Sequence, residues 1–173
     1  EEALAAAGVG WEQVSRLAVG VGPGGFTGLR IGIATARALA QARGVATVAV
    51  SSLAALAYPA GPGLVAGVID ARRGEAFVGV YENGATVVEP AALGPEALSE
   101  QVRSLAGPVL AVGDGALRFR VELDRAGATV PADDDPVHRL SAVALCRLAV
   151  DAPITPLDRL VPDYCREPDA KPR

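Results

Sequence analysis

The stretch that most constrains this chain is a breaker-rich turn, Gly22-Pro23-Gly24-Gly25, set between a short apolar run at residues 16–21 and a long small-residue segment at 29–42. The apolar run is flanked by Ser15 and Gly22 and has the signature of a buried strand. In the segment that follows, Leu29, Ile33, Ala36 and Ala40 recur at helical spacing, and Gly44 supplies the stop. A second apolar run at 45–50 completes a strand, helix, strand series. Such a series predicts a right-handed crossover with its two strands parallel, and therefore an α/β fold.

Upstream, residues 1–7 have the composition of the last turns of a helix stopped by Gly8. Downstream, Ser51 or Ser52 is placed to cap a short helix ending before Pro59. Tyr58-Pro59-Ala60-Gly61-Pro62-Gly63 interrupts every regular period and marks a boundary between two lobes. Beyond it, runs at 64–69, 75–81 and 85–88, with Asn83-Gly84 as one turn, predict an antiparallel meander. Pro95 opens a helix through Leu98, Val102 and Leu105, ended by Gly107-Pro108. Residues 109–112 form a short strand, and Asp114 is placed to cap a helix through Leu117 and Val121. Ser141 caps residues 142–150, which are apolar nearly all round and predict a buried helix. From Glu167 the chain is Pro-rich and charged, which predicts a frayed tail. The expected division is thus 1–60 for the first lobe, 61–155 for the second, and 156–173 for a C-terminal segment and tail.

Half of the residues are hydrophobic but only 4% are aromatic, so the core has to be assembled from Ala, Val and Leu in close packing. The net charge is -4, and the longest basic run is Arg72-Arg73. That argues against a surface that grips nucleic acid by itself, because phosphate contacts supply most of such affinity and need a basic stripe. Two cysteines, Cys146 and Cys165, lack the spacing of a disulfide framework or zinc site and suit a reducing compartment. No apolar stretch reaches the roughly 18 residues of a membrane span. A cytoplasmic location with no membrane contact is the expectation.

Several residues invite a chemical reading. The turn at 22–28 lies between a strand and a helix, where backbone N–H groups can hold an anion, making Gly24, Gly25 and Thr27 candidates for cofactor binding. The same residues also read as a tight turn whose Thr27 caps the helix. Neither a Walker loop nor the dinucleotide spacing is present. Within the helix, Gly32, Ala36 and Ala40 form a small-residue ridge beside Ile33 and Arg37, suited to intramolecular packing or to a partner interface at Leu29, Arg30, Ile33, Ala36, Arg37 and Ala40. Asp70, Arg72, Arg73 and Glu75 cluster at a strand turn, as an acid/base or metal group or as a solvated hairpin end. Asp133-Asp134-Asp135 reads as an exposed acidic loop. The single histidine, His138, rules out any site needing two, and is expected in an exposed loop. Neither thiol has a neighbour that would activate it.

The string Val19-Gly20-Val21-Gly22-Pro23-Gly24-Gly25-Phe26-Thr27-Gly28-Leu29-Arg30-Ile31-Gly32 resembles the signature of the TsaB family, also called YeaZ. Ser51-Ser52-Leu53, Ile69-Asp70-Ala71-Arg72-Arg73-Gly74-Glu75, Gly113-Asp114-Gly115 and Pro162-Asp163-Tyr164-Cys165-Arg166 follow in that family's order, so the resemblance covers nearly the whole chain. It implies a two-lobed α/β fold of the actin-like ATPase superfamily (RNase H-like) without a working catalytic site or metal. It also implies a scaffold for a TsaD-like catalytic subunit, with a TsaE-like ATPase and tRNA reached indirectly through that complex and ATP or ADP held only there. A homodimer is a second pairing to expect. Family members open with a strand carrying an Asp-Thr or Asp-Ser pair, a hairpin and a long helix. Here only residues 1–8 match the end of that helix, so the resemblance implies an incomplete first lobe. The rival from another class is a nucleotide-dependent phosphotransferase or ATPase using the loop at 22–28. A peptidase reading fails for want of a second histidine.

Overall fold

The structure, a computed structural model, describes residues 2–165. The charged tail expected from Glu167 lies outside the described residues. A short helix, α1 (Glu2–Ala7), precedes strand β1 (Arg16–Gly22), helix α2 (Phe26–Arg43) and strand β2 (Ala46–Ser51). β1 and β2 pair in parallel with Arg16 opposite Ala46 and Gly20 opposite Val50, the arrangement the sequence predicts. α2 begins three residues before the expected start. Its N-cap is Gly25, and Gly44 takes the left-handed conformation at φ 65° that ends it. Thr27 therefore lies inside the first turn of α2 rather than capping it.

The alternation of side chains along a strand decides the layers on either side of this pair. Leu17, Val19, Val21 and Ala49 face α2 and meet Ile33 and Ala36, with Leu160 fully buried beside them. Ala18, Val48 and Val50 face the other way and meet Ala144 and Ala149 of a later helix, α7 (Ala142–Ala149). The C-terminal segment follows the same small sheet. Thr155 N–H donates to the Thr47 carbonyl at 2.7 Å, the Thr47 hydroxyl donates to the Thr155 carbonyl at 2.7 Å, and Asp163 N–H donates to the Val21 carbonyl at 2.8 Å.

Helix α3 (Ser52–Ala57) starts at Ser51, whose Oγ accepts from Ala54 N–H at 3.4 Å. After the breaker-rich stretch, strands β3 (Leu64–Arg72), β4 (Glu75–Glu82) and β5 (Ala85–Leu93) form the expected meander. Strand β6 (Val109–Val112) adds in parallel to β3, giving the order β5-β4-β3-β6. β5 runs five residues past its expected end, through Pro90, which an edge strand tolerates. Helices α4 (Pro95–Arg103), α5 (Asp114–Arg118) and α6 (Arg120–Ala126) pack on this sheet, burying Leu98, Val102, Ala116 and Leu123 against Val78 and Val80. The helix expected from Asp114 through Val121 is broken at Phe119, which adopts φ -102° and ψ 25°.

α3 joins the two sheets. Its Leu53, Leu56 and Ala57 pack on Val65, Tyr81 and Val112 of the larger one. The approach is close enough that a Cβ at Gly67 would sit 2.6 Å from the Leu53 carbonyl oxygen, a position only glycine can fill.

Helix α7 (Ala142–Ala149) departs from expectation. Only Ala144 and Ala149 are buried, while Val143 is 68% exposed and Cys146 is exposed. An all-apolar helix reads as buried on every side, but the strand pair it covers is two strands wide and accommodates one stripe.

Candidate functional site: the inter-lobe cleft and the outer face of the long helix

The Gly-rich turn ends β1, and α3 begins at the end of β2, so both open onto the space beside the ends of β3 and β6. There a cleft of about 450 Å³ is lined by Pro23, Gly24, Gly25, Leu29, Leu56, Ile69, Asp114, His138 and Leu140. Gly24 and Gly25 line it as the anion reading requires; Thr27 does not, and is exposed at the helix start.

His138 is buried, 7% exposed, against the expectation of an open loop. Its Nδ1 accepts the Gly113 N–H at 3.0 Å and its Nε2 faces the Pro131 carbonyl at 3.3 Å. An accepting Nδ1 puts the proton on Nε2, so both nitrogens are committed to backbone and the ring ties the segment at 131–138 to the turn after β6. Asp135 N-caps the short turn that carries it by accepting from Val137 N–H at 2.9 Å. Asp133, 82% exposed at its side chain, pairs with Arg120, in line with an exposed acidic loop.

At the other rim, Asp70 is no solvated hairpin residue. Its side chain is 10% exposed under Arg118, whose Nη1 lies 2.8 Å from each carboxylate oxygen, and Arg72 N–H donates to it at 2.9 Å. Burial alone would raise its pKa; the Arg72 backbone bond and the Arg118 guanidinium outweigh that and hold it below the usual carboxylate range. Asp114 faces the cleft from the start of α5, yet its Oδ1 already accepts the Asp70 N–H at 3.1 Å. Gly113 and Gly115 permit this contact, since a Cβ on either would collide with the Val68–Asp70 backbone. Asp114 is the one carboxylate in a lining otherwise dominated by apolar groups, and no group of three His, Cys, Asp or Glu side chains among the described residues could hold a metal.

The proposed interface residues on α2 divide between two faces. Arg30 and Arg37 are exposed and Leu29 and Ala36 half-buried, but Ile33 and Ala40 are 4% and 2% exposed and belong to the chain's own core. The spacing that identifies the helix identifies its core stripe; reading that stripe as a partner surface inverts the helix. Two residues from Ile33 is about 200° of rotation, so Ile31 points outward and is 63% exposed. Phe26 is 54% and Leu39 37% exposed on the same helix. Gly28 and Gly32 lie open beside Leu39 on the side of Ile31, with nothing near where a Cβ would stand, while Phe26 lies on the flank next to Ile33. Tyr164, remote in sequence, packs on the flank that carries Phe26 and Arg30: its hydroxyl accepts from Arg30 Nε at 3.0 Å, and its ring lies 6.1 Å from that of Phe26. The rotation between Ile31 and Ile33 was a usable signal in the sequence; Tyr164 stood in the family-ordered string at 162–166, with nothing local to place it beside α2.

The thiols differ as well. Burial and the Asp163 carboxylate push Cys165 up to about 11. No helix among the described residues is long and apolar enough to cross a membrane.

A parallel strand–helix–strand lobe joined through a shared helix to a four-stranded mixed sheet is the α/β, actin-like (RNase H-like) architecture, and comparison with solved structures agrees. YeaZ from Pseudomonas aeruginosa superposes with a TM-score of 0.75 at 29% identity, over 94% of this chain and 79% of that one. The chain belongs to the TsaB (YeaZ) family. It is similar to the tRNA threonylcarbamoyladenosine biosynthesis protein TsaB of Escherichia coli, 37% identical over 66% of this chain and 54% of that protein. The Bacillus subtilis protein of the same name is 29% identical over 92% of this chain and 73% of its own length. Residues 1–115 also match a family model described as TsaD, tRNA N6-adenosine threonylcarbamoyltransferase.

Proposed function

We propose that this chain serves tRNA threonylcarbamoyladenosine synthesis as a non-catalytic subunit that binds and stabilises a TsaD-like catalytic partner. The family relationship supports the pathway, and one structural observation carries the role. The 18-residue helix α2 turns an outer face bearing Ile31 and Leu39, about 80° apart around its axis, away from its own core. Exposed apolar side chains gathered on one helix are what a partner's helix covers. The contact surface is therefore centred on this outer face, with Phe26, Arg30 and Arg37 on its flank, and not on the Ile33–Ala40 stripe.

His138 supports the non-catalytic part of the reading, because a ring with both nitrogens on backbone groups is not free to act as a base. A TsaE-like ATPase and tRNA join through the assembled complex, and ATP or ADP is bound only there. Calorimetric titration of this chain with the TsaD-like protein of the same organism tests the proposal. A stoichiometric complex is expected, and no heat at micromolar concentrations, with both proteins folded, refutes it.

A further inference from the structure

Arg30 stands one turn into α2, held on two sides. Its guanidinium lies 3.9 Å from the centroid of the Phe26 ring, and its Nε donates to the Tyr164 hydroxyl at 3.0 Å. The Phe26 and Tyr164 rings stack at 6.1 Å and 29° and close the frame around it. Among the described residues no carboxylate pairs with Arg30, whereas Arg72, Arg118 and Arg120 each have one. A guanidinium has five donors in a rigid planar fork, and Nε accounts for one of them. Most exposed arginines lose side-chain entropy when they bind; here the ring face and the hydroxyl have already fixed the plane.

We infer that the Nη edge of Arg30 is a carboxylate-recognition site for an aspartate or glutamate of the partner protein, with Tyr164 as the residue that positions it. The inference rests on the proposed binding of a TsaD-like subunit and names the chemistry of that contact. Arginine and tyrosine in an aromatic setting make up the composition of binding hot spots. A fork held flat matches a carboxylate in two parallel bonds. Charge favours a protein carboxylate over nucleic acid, because the chain carries -4 overall and has no basic stripe to follow a phosphate backbone.

Titration of the full chain with the TsaD-like protein, using Arg30→Ala, Arg30→Lys and Tyr164→Phe, tests this. Arg30→Ala is expected to weaken binding by about tenfold or more. Arg30→Lys, which keeps the charge and loses the fork, is expected to recover only a minor part of the loss. Tyr164→Phe is expected to weaken binding less, and to have no effect in the Arg30→Ala background. That non-additivity is a readout a merely structural role for Tyr164 would not give. Unchanged affinity of Arg30→Ala when the wild-type chain binds overturns this inference alone. Absence of wild-type binding removes both it and the proposed function. If Arg30→Ala fails to fold by circular dichroism, the lysine and phenylalanine variants decide, and wild-type affinity in both overturns the site. Loss of tRNA binding by the isolated variant, with partner affinity intact, overturns it in favour of a nucleic-acid contact.

Discussion

Nη1 of Arg118 lies 2.8 Å from both carboxylate oxygens of Asp70, joining the end of α5 to the end of β3 across 48 residues. Arg72, one side-chain contact away at 3.4 Å and 83% exposed, adds little; Arg118 and the Arg72 backbone N–H hold the carboxylate. Asp70→Asn keeps the shape and removes the charge. It is expected to lower stability by about 1 kcal/mol, the range of a partly exposed ion pair. Urea unfolding at pH 7 measures it, and an unchanged midpoint would show that the pair contributes nothing.

The same carboxylate sets an acid limit. Its folded pKa lies below the unfolded value of about 3.9, so its contribution is complete above that value and falls away as pH drops through the folded pKa. The wild type is expected to lose more stability than Asp70→Asn on going from pH 6 to pH 3. Equal losses in urea series at the two pH values would remove Asp70 as the cause.

Gly67 faces the Leu53 carbonyl so closely that any Cβ must push α3 off the larger sheet. Gly67→Ala is expected to cost about 2 kcal/mol, as overpacking does. A thermal melt equal to the wild type's would show that α3 shifts without loss. Gly28→Ala, with open space at its Cβ and helical backbone, is the control and is expected to leave stability unchanged or slightly raised.

The thiols give a chemical reading of the C-terminal segment. With Cys165 pushed up to about 11, on the order of one part in a thousand is thiolate at pH 8. Iodoacetamide at pH 8 is therefore expected to modify exposed Cys146 first, and Cys165 only after unfolding. Mass spectrometry of the peptides decides, and equal labelling of the two in the native chain would mean that the segment around Asp163 does not stay on β1.

What could be read from the sequence was whatever is encoded locally. Gly44, Ser51 and Pro95 bound their helices by the backbone conformations they favour, and Asn83-Gly84 sets the meander's turn. The family string at 19–32 identified the fold without any geometry. What escaped was decided by partners far along the chain. His138 is buried because Gly113 and Pro131 happen to meet it, and Asp70 is paired because α5 brings Arg118 back to β3. α7 is half-exposed because the sheet beneath it is narrow. For α2 the signal was present and misassigned, since a stripe of Ile33, Ala36 and Ala40 at core spacing belongs to the core.

That reassignment yields the sharpest contrast, between two isoleucines one residue apart from being neighbours. Ile33 is 4% exposed among Val19 and Leu160, and Ile31 is 63% exposed on the opposite face of the same turn. Ile33→Glu places an unpaired carboxylate in the core and is expected to cost several kcal/mol, enough to unfold the small lobe. Ile31→Glu meets water and is expected to melt with the wild type. In titration against the TsaD-like protein, Ile31→Glu should weaken binding by roughly thirtyfold, as a charge in the middle of an apolar contact does. Circular dichroism and calorimetry on the pair separate folding from binding. A folded Ile31→Glu that binds at wild-type strength would move the partner surface off α2 altogether.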